Sequence, residues 1–307
     1  LIGDTAQLPP VGAEESPAMQ PEVLRGYGLK VTRAVMTETV RQSRMSGILW
    51  NATWLRKAMR QPVLPPPVML TSRFGDVRTV DGEELADAIS DDYARDGEEQ
   101  TIVVTRSNNR ATRFNLAIRT LINMSEEELV RGERIMIAKN NYHWTRQTPG
   151  VDFIANGDMA VIEAIHGLEK RYGLRFADVT LSLPDRDVRI DCKIILDALV
   201  TDAPALDGQK LMWLRDGVLA DNGGSMLSPS AAVKVLRADP YFNALQVKYA
   251  YAVTCHKAQG GQWKNVYVDL GYVPEEIPGM DFYRWLYTAV TRATGRLNLI
   301  SPVIETR

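Results

Sequence analysis

The stretch "YAVTCHKAQGGQWKNVYV", residues 251–268, packs Thr254, His256, Lys257 and Gln259 onto one loop between two β-rich runs, with Gly260 and Gly261 directly behind. A hydroxyl, an imidazole, an ammonium and an amide supply donors to phosphate oxygens, and paired glycines let the backbone approach a ligand closely. Taken singly, each of these residues equally suits an ordinary strand-to-strand loop. A second group lies in "RWLYTAVTRATGRL", where helical spacing puts Arg284, Thr288, Thr291 and Arg292 on one face. Such a face presents guanidinium to an anion across a cleft, or pairs with a carboxylate at the surface.

A third group is "GDTAQLPPVG", a tight turn at Gly3 and Asp4 followed by Gln7 on a loop stiffened by Pro9 and Pro10. A neutral amide held at the end of a parallel strand can orient water beside a terminal phosphate. "ETVRQS" adds Arg41 and Gln42 after a β-like run, a signal that is weak in isolation.

These residues need a scaffold. The chain has 307 residues, 45% hydrophobic and 24% charged, enough for about two domains with buried cores. In "SGILWNATWLRKAMR" the pattern is helical and stops at the stiff "QPVLPPPV". Between 83 and 122 the pattern predicts helix, strand, helix: Leu85, Ile89 and Tyr93 recur at fourfold spacing, "TIVVT" is a buried strand, and "NNRATRFNLAIRTLI" opens on asparagines suited to capping. From 131 to 245 short β-rich segments ("ERIMIAK", "MAVIEAI", "LRFADVTLSL", "DVRIDCKII") predict a small inserted barrel or sandwich, with 197–243 read as helix and loop. From 247, "VKYAYAV" and "NVYVDL" read as buried strands of a parallel sheet, "DFYRWLYTAVTRATG" as a helix ending at Gly295, and "RLNLI" as a last strand.

Composition narrows the partners. A net charge of -2 marks no nucleic-acid binder globally, so a polyanion site must be local. No apolar run approaches the ~18 residues of a membrane span, so no membrane partner is expected. Cys192 and Cys255 are too few for a disulfide framework or zinc cluster, which fits a reducing, cytoplasmic setting. The acids Glu83, Asp87, Asp91 and Asp92 evoke a nuclease metal site, but at helical spacing and with no histidine they read as a solvated helix face.

The order of the segments adds a resemblance. "GDTAQLPPVG", "ETVRQS", "TIVVTRSNNRATRFN", "YAVTCHKAQGGQWKNVYV" and "LYTAVTRA" together resemble the later motifs of superfamily 1 helicases, specifically the RecD-like and Dda-like group that includes the exodeoxyribonuclease V alpha subunit. The resemblance runs from residue 1 to about 300, although 166–245 contributes no motif. It implies an α/β, RecA-like P-loop NTPase motor domain with a parallel sheet and an inserted small β-rich SH3-like domain, for which "GERIMIAKNNY" and "FIANGD" stand. The implied domains are 1–35, a remnant of the first motor domain; 36–130, the first part of the second; 131–245, the insertion; and 246–307, the last part of the second. The remnant is expected to expose apolar surface and to be partly disordered or packed against a neighbour.

The resemblance also implies roles. Gln7 would sense the γ-phosphate, with Asp4 shaping its loop, and Arg41 and Arg292 would act as arginine fingers. Gln259 and Gly260 would turn toward nucleotide, as would Gln262, which stands where many relatives have an acid that meets the nucleotide sugar, so that contact is in doubt. Thr105, Ser107, Asn108, Thr254, His256 and Lys257 would contact the DNA backbone, and Tyr142 and Trp144 would stack on single-stranded bases, the alternative being an aromatic pair that supports the insertion. ATP and Mg²⁺ would be the cofactors of the intact enzyme. GxxxxGK[ST] does not occur in the sequence, so the Walker A loop and the magnesium-binding acids are expected upstream, and the chain alone is expected to be inactive as an ATPase. Single-stranded DNA, the N-terminal motor domain and further recombination or nuclease subunits are the implied partners. From another class stands a non-catalytic DNA-binding or assembly subunit of a recombination complex.

Overall fold

The computed structural model describes residues 1–36, 45–146, 148, 150–271, 279–302 and 304–307. In chain order the elements are α1 (Pro21–Gly26), α2 (Gly47–Ala58), β1 (Val68–Met69), β2 (Val77–Val80), α3 (Leu85–Asp96), β3 (Thr101–Thr105), α4 (Asn108–Leu121), β4 (Arg134–Ile137), β5 (Met159–Arg171), β6 (Leu174–Leu183) and β7 (Val188–Ile195). There follow α5 (Gly208–Asp221), α6 (Pro229–Ala238), β8 (Leu245–Tyr249), β9 (Ala252–Thr254), α7 (Cys255–Ala258), β10 (Trp263–Asp269), α8 (Met280–Val290), β11 (Ala293–Ile300) and β12 (Glu305–Thr306). Two compact units result, one of residues 1–106 and 254–307, the other of 107–253.

The first unit is α/β. Strands β2, β11, β10 and β3 lie side by side in parallel, with Val266 of β10 in register with Ile102 on one side and Leu297 on the other. Every residue of β3, "TIVVT", is buried, as a strand covered on both faces requires. Helix α2 starts where the sequence says it should: Ser46 Oγ accepts the N–H of Leu49 at 3.3 Å and donates to Asp76 Oδ2 at 2.6 Å. Buried Asn51 then ties α2 to β1, exchanging hydrogen bonds with the N–H and C=O of Leu70 at 2.8 and 2.9 Å.

The second unit is a closed barrel of β4, β5, β6, β7 and β8, antiparallel except where β7 meets β8. Burial alternates along much of β6, as it must when one strand face looks into a small barrel. Helices α5 and α6 fill the stretch 197–243, and α5 seals one side with Leu214 and Val218 against Phe176 and Ile195.

Several expectations change. "VKYAYAV" divides between two strands: its first half is β8, which closes the barrel by pairing Val247 with Ile137, and its end is β9, a member of the five-stranded sheet. An apolar run of that length suits either kind of sheet, and the partner decides. Helix α8 ends at Val290 with Thr291 as its C-cap, so Gly295 lies in β11 and Arg292 in the turn between them. The cap of α4 is Ser107, whose Oγ accepts from Arg110 N–H at 3.2 Å, and not one of the asparagines. Asp92 is no solvated acid. It is fully buried, bonded by Arg95, by Arg296 at 3.0 Å and by the Tyr267 hydroxyl at 2.7 Å, while Glu83, Asp87 and Asp91 are exposed. The compact units also divide at 106/107 and 253/254 rather than at 130/131 and 245/246, because α4 and β8 go with the barrel.

Among the described residues no helix is long and apolar enough to cross a membrane, and no group of three or more His, Cys, Asp or Glu side chains could hold a metal ion.

Candidate functional site

Three of the chemistry-bearing segments meet in the first unit, around the backbone of Leu8. Its N–H donates to Thr288 Oγ1 on α8 at 2.9 Å, and its C=O accepts from Gln259 Nε2 at 2.8 Å. Both backbone groups of one loop residue are thus held by side chains from the two other motifs. The turn before it is shaped by Asp4: Oδ1 accepts the Ala6 N–H at 3.1 Å, and Asp4 O accepts the Gln7 N–H at 3.0 Å. Arg56 of α2 and the Tyr287 hydroxyl, the latter at 2.9 Å, both bond the Asp4 carboxylate. Burial, and then the Asp4 charge, push the Tyr287 phenol up to about 12, so it stays a donor.

The result is a pocket of about 300 Å³ whose polar lining includes Asp4, Gln7, Gln259 and Arg284. Arg284 donates to the Glu14 carbonyl at 2.6 Å. Two amides and one guanidinium offer donors to a ligand with several acceptor oxygens, on a wall that also carries the carboxylates of Asp4, Glu14 and Glu15. Asp4, Leu8 and Glu14 are thus bonded to α8, while Leu1, Ile2, Val11 and Val35 are exposed.

The glycine pair behind Gln259 is required for two different reasons. Gly260 has φ +87°, in the left-handed region. At Gly261 a Cβ would come within 2.3 Å of the Trp263 ring, so the loop closes only if no side chain stands there.

Arg292 is placed otherwise than a helix-face position implies. It is 4% exposed, with Nε donating to Thr288 O at 3.0 Å, Nη1 to Gly261 O at 3.0 Å and Nη2 to Thr291 Oγ1 at 3.1 Å. The guanidinium caps the end of α8 and pins the glycine loop to it. Arg41 lies outside the described residues.

The remaining candidates are spread out. Thr254 precedes the single turn α7 and is half-buried, His256 is exposed, and burial draws the half-buried Lys257 below its ordinary pKa. Gln262 is exposed. Thr105 is fully buried at the end of β3, so its hydroxyl is not at the surface as a phosphate donor must be. In the second unit Ser107 is exposed and engaged in capping, and Asn108 is half-buried as the first residue of α4. Tyr142 is 61% exposed, its ring stacked on Phe153 at 5.2 Å. Trp144 is half-buried with its indole N–H on the Asn243 carbonyl at 2.8 Å, which is the work of a supporting aromatic.

Residues that the sequence did not single out also matter. Arg56 and Tyr287 hold the Gln7 turn; a basic residue on the polar side of α2 and a tyrosine one position before Thr288 were visible, but nothing in their spacing linked them to Asp4. Arg106 lays its guanidinium over Phe282 at 5.4 Å and Trp285 at 5.8 Å. Asn115, buried in α4, accepts the N–H groups of Tyr251 and Ala252 at 2.9 and 2.8 Å and donates to Ala252 O, fixing the strand that leads to the glycine loop.

Comparison with known proteins finds similarity in the C-terminal part of the chain. No curated protein sequence matches the chain. Among solved structures, the Pif1 helicase from Bacteroides in complex with ADP-AlF3 and ssDNA is similar at 13% identity and a TM-score of 0.45, over 98% of this chain and 61% of that one. Pif1 helicase from Candida albicans is similar at 14% identity and a TM-score of 0.38, over 98% and 62%. The chain thus spans about three fifths of the length of these proteins. Residues 249–300, which carry Thr254, His256, Gln259, the glycine pair, Thr288 and Arg292, match the UvrD-like helicase C-terminal domain. That stretch of the chain is similar to the C-terminal part of a superfamily 1 helicase.

Proposed function

We propose that this chain is the C-terminal portion of an ATP-dependent DNA helicase of the RecD-like and Dda-like group, which couples ATP hydrolysis to movement along single-stranded DNA in repair or recombination. The observation that carries the reading is the grip of Gln259 and Thr288 on Leu8. A motor must transmit the state of a terminal phosphate to the segments that hold its track, and here the Gln7 loop is bonded directly to both helicase-type segments. The match of residues 249–300 supports it from the sequence side.

The residues gathered at the pocket fit only one end of a nucleoside triphosphate. Gln7 and Gln259 supply amides and Arg284 a charge for the terminal phosphate, set against the carboxylates of Asp4, Glu14 and Glu15 on the same wall. A cradle for the other phosphates and the acids that would hold Mg²⁺ belong, in this reading, to sequence upstream. Bound there, ATP would supply the phosphoryl group whose developing charge the arginines stabilise. Arg292 can take that part only by exchanging a carbonyl, Gly261 O being the nearest the loop, for a phosphate oxygen.

The low net charge is compatible with a translocase, which needs to release its track: each neutralised phosphate steepens the salt dependence and tightens the hold. Stacking surfaces and a few donors serve better than a basic face.

ATP hydrolysis by the protein carrying its upstream sequence tests the reading, with Arg292→Ala as the variant. A loss of roughly 10³ to 10⁵ in turnover is expected for a lost finger, with binding to single-stranded DNA retained. Retained hydrolysis removes the finger assignment. DNA binding without hydrolysis in the unmodified protein would favour a non-catalytic assembly subunit instead.

A further inference from the structure

The barrel unit carries a second pocket, about 540 Å³, which takes in Tyr142, the residue for which the resemblance implies stacking on single-stranded bases, and no residue of the Gln7, glycine-loop or α8 segments. Its wall brings together Lys139, Tyr142, His143 and Arg146 from the loop after β4, Arg237 at the end of α6, and Phe242. Among the described residues, three cations face one concavity and no carboxylate lines it. Asp239, whose charge acts on His143, accepts the Phe242 N–H at 2.7 Å.

The floor is rigid for a reason independent of any ligand. His143 Nδ1 and Arg146 Nη2 both reach the Arg237 carbonyl, at 3.1 and 3.3 Å, and Asn141 and Trp144 both donate to the Asn243 carbonyl at 2.8 Å. These bonds tie the loop to the end of α6. They use the backbone of Arg237 and leave its side chain exposed, as are Lys139 and the Tyr142 ring. With Nδ1–H directed at a carbonyl and burial favouring the neutral ring, His143 offers Nε2 as an acceptor.

We propose that this pocket takes one nucleotide unit of a single strand, its phosphate against Lys139 and Arg237 and its base against Tyr142. Exposed cations beside an exposed aromatic, on a wall with no acid, match a ligand that is anionic at one end and flat at the other. The proposal rests on the single-strand reading above but assigns a separate site, one that depends on no residue of the Gln7, glycine-loop or α8 segments.

The test is photo-crosslinking of the full chain to an oligothymidylate of about 12 nucleotides bearing 5-iodouracil, with adducts located by mass spectrometry and affinity read by anisotropy across a salt series. The expected adduct is on Tyr142. Lys139→Ala with Arg237→Ala should weaken binding about tenfold and lower the salt slope by about 0.7, the share of the one phosphate they hold. Tyr142→Ala should weaken binding while Tyr142→Phe, which keeps the ring, should not. Circular dichroism of each variant excludes unfolding as the cause. Adducts confined to 254–259 or 284–292, with affinity unmoved by these variants, would overturn the pocket and leave the helicase reading standing. Absence of binding by the unmodified chain would also overturn it, while ATP hydrolysis by the longer protein judges the motor separately. Displacement of the strand by equimolar thymidine monophosphate would assign the pocket to free nucleotides and overturn the strand.

Discussion

Gln259 donates its side-chain amide to the Leu8 carbonyl at 2.8 Å, joining residues 251 positions apart. Thr288 accepts the Leu8 N–H from the other side, so the Gln7 loop is fixed relative to the glycine loop and α8 at a single residue. Any change in what Gln7 touches is then felt by both. That relationship generates the first prediction.

Gln259→Ala removes one neutral hydrogen bond, about 1 kcal/mol, and leaves the Leu8 carbonyl without this partner. Hydrogen exchange should show the Leu8 amide protected in the unmodified chain and opening about fivefold faster in the variant, with β10 and β11 unchanged. Thr288→Val should speed the same amide. Equal exchange in all three would mean that the loop is held by something else.

Arg292→Ala strips the Thr288 and Gly261 carbonyls of a buried donor and should cost about 2–4 kcal/mol in denaturant unfolding, before any effect on catalysis. Arg292→Lys should recover little of this, since an ammonium cannot reach three partners in the guanidinium's planar fork. A full rescue by lysine would contradict the capping role.

The glycine pair should separate by mechanism. Gly261→Ala meets the Trp263 ring and should destabilise by about 1–3 kcal/mol through overpacking. Gly260→Ala meets no neighbour and pays only for its positive φ, about 1 kcal/mol. Thermal unfolding of the two variants ranks them; the reverse order would show that the loop relaxes around the indole.

Buried Lys248 predicts a pH dependence. Its ammonium is bonded to the Thr201 carbonyl, yet burial draws its pKa down from 10.5 to about 8, the Asp202 charge opposing this only in part. The unfolded chain binds the proton more tightly, so the cost of burying the charge is fully present below pH 8 and disappears as pH rises from about 8 toward 10.5. Stability should rise over that window by up to about 3 kcal/mol, and Lys248→Met should flatten the rise. An unchanged slope in the variant would place the titration elsewhere.

Much of the scaffold was legible because its signals are local. The helical stripe of "SGILWNATWLRKAMR", the short "TIVVT" with its apolar centre and the alternating "LRFADVTLSL" each dictate one element. What was not legible depended on partners distant in sequence. β8 has the composition of a parallel-sheet strand, and only its pairing with β4 and β7 makes it the closing strand of a barrel. Asp92 shares its helix with exposed acids and differs because Arg296 and Tyr267 arrive from β11 and β10. For the site, motif order pointed to segments whose residues Gln259 and Thr288 the structure joins to the Gln7 loop through Leu8, whereas the place of Arg292 was not legible, because the end of α8 is set by a side chain reaching back to Thr288 O and no cap residue announces it.

The central claim, that the Gln7 loop and its two anchors are half of a nucleotide-driven motor, is tested most directly by measuring ATP hydrolysis with and without single-stranded DNA, on this chain alone and on the protein carrying its upstream sequence. The account predicts no hydrolysis by the chain alone and DNA-stimulated hydrolysis by the longer protein, lost in Arg292→Ala. An inert longer protein that still binds single strands would contradict it.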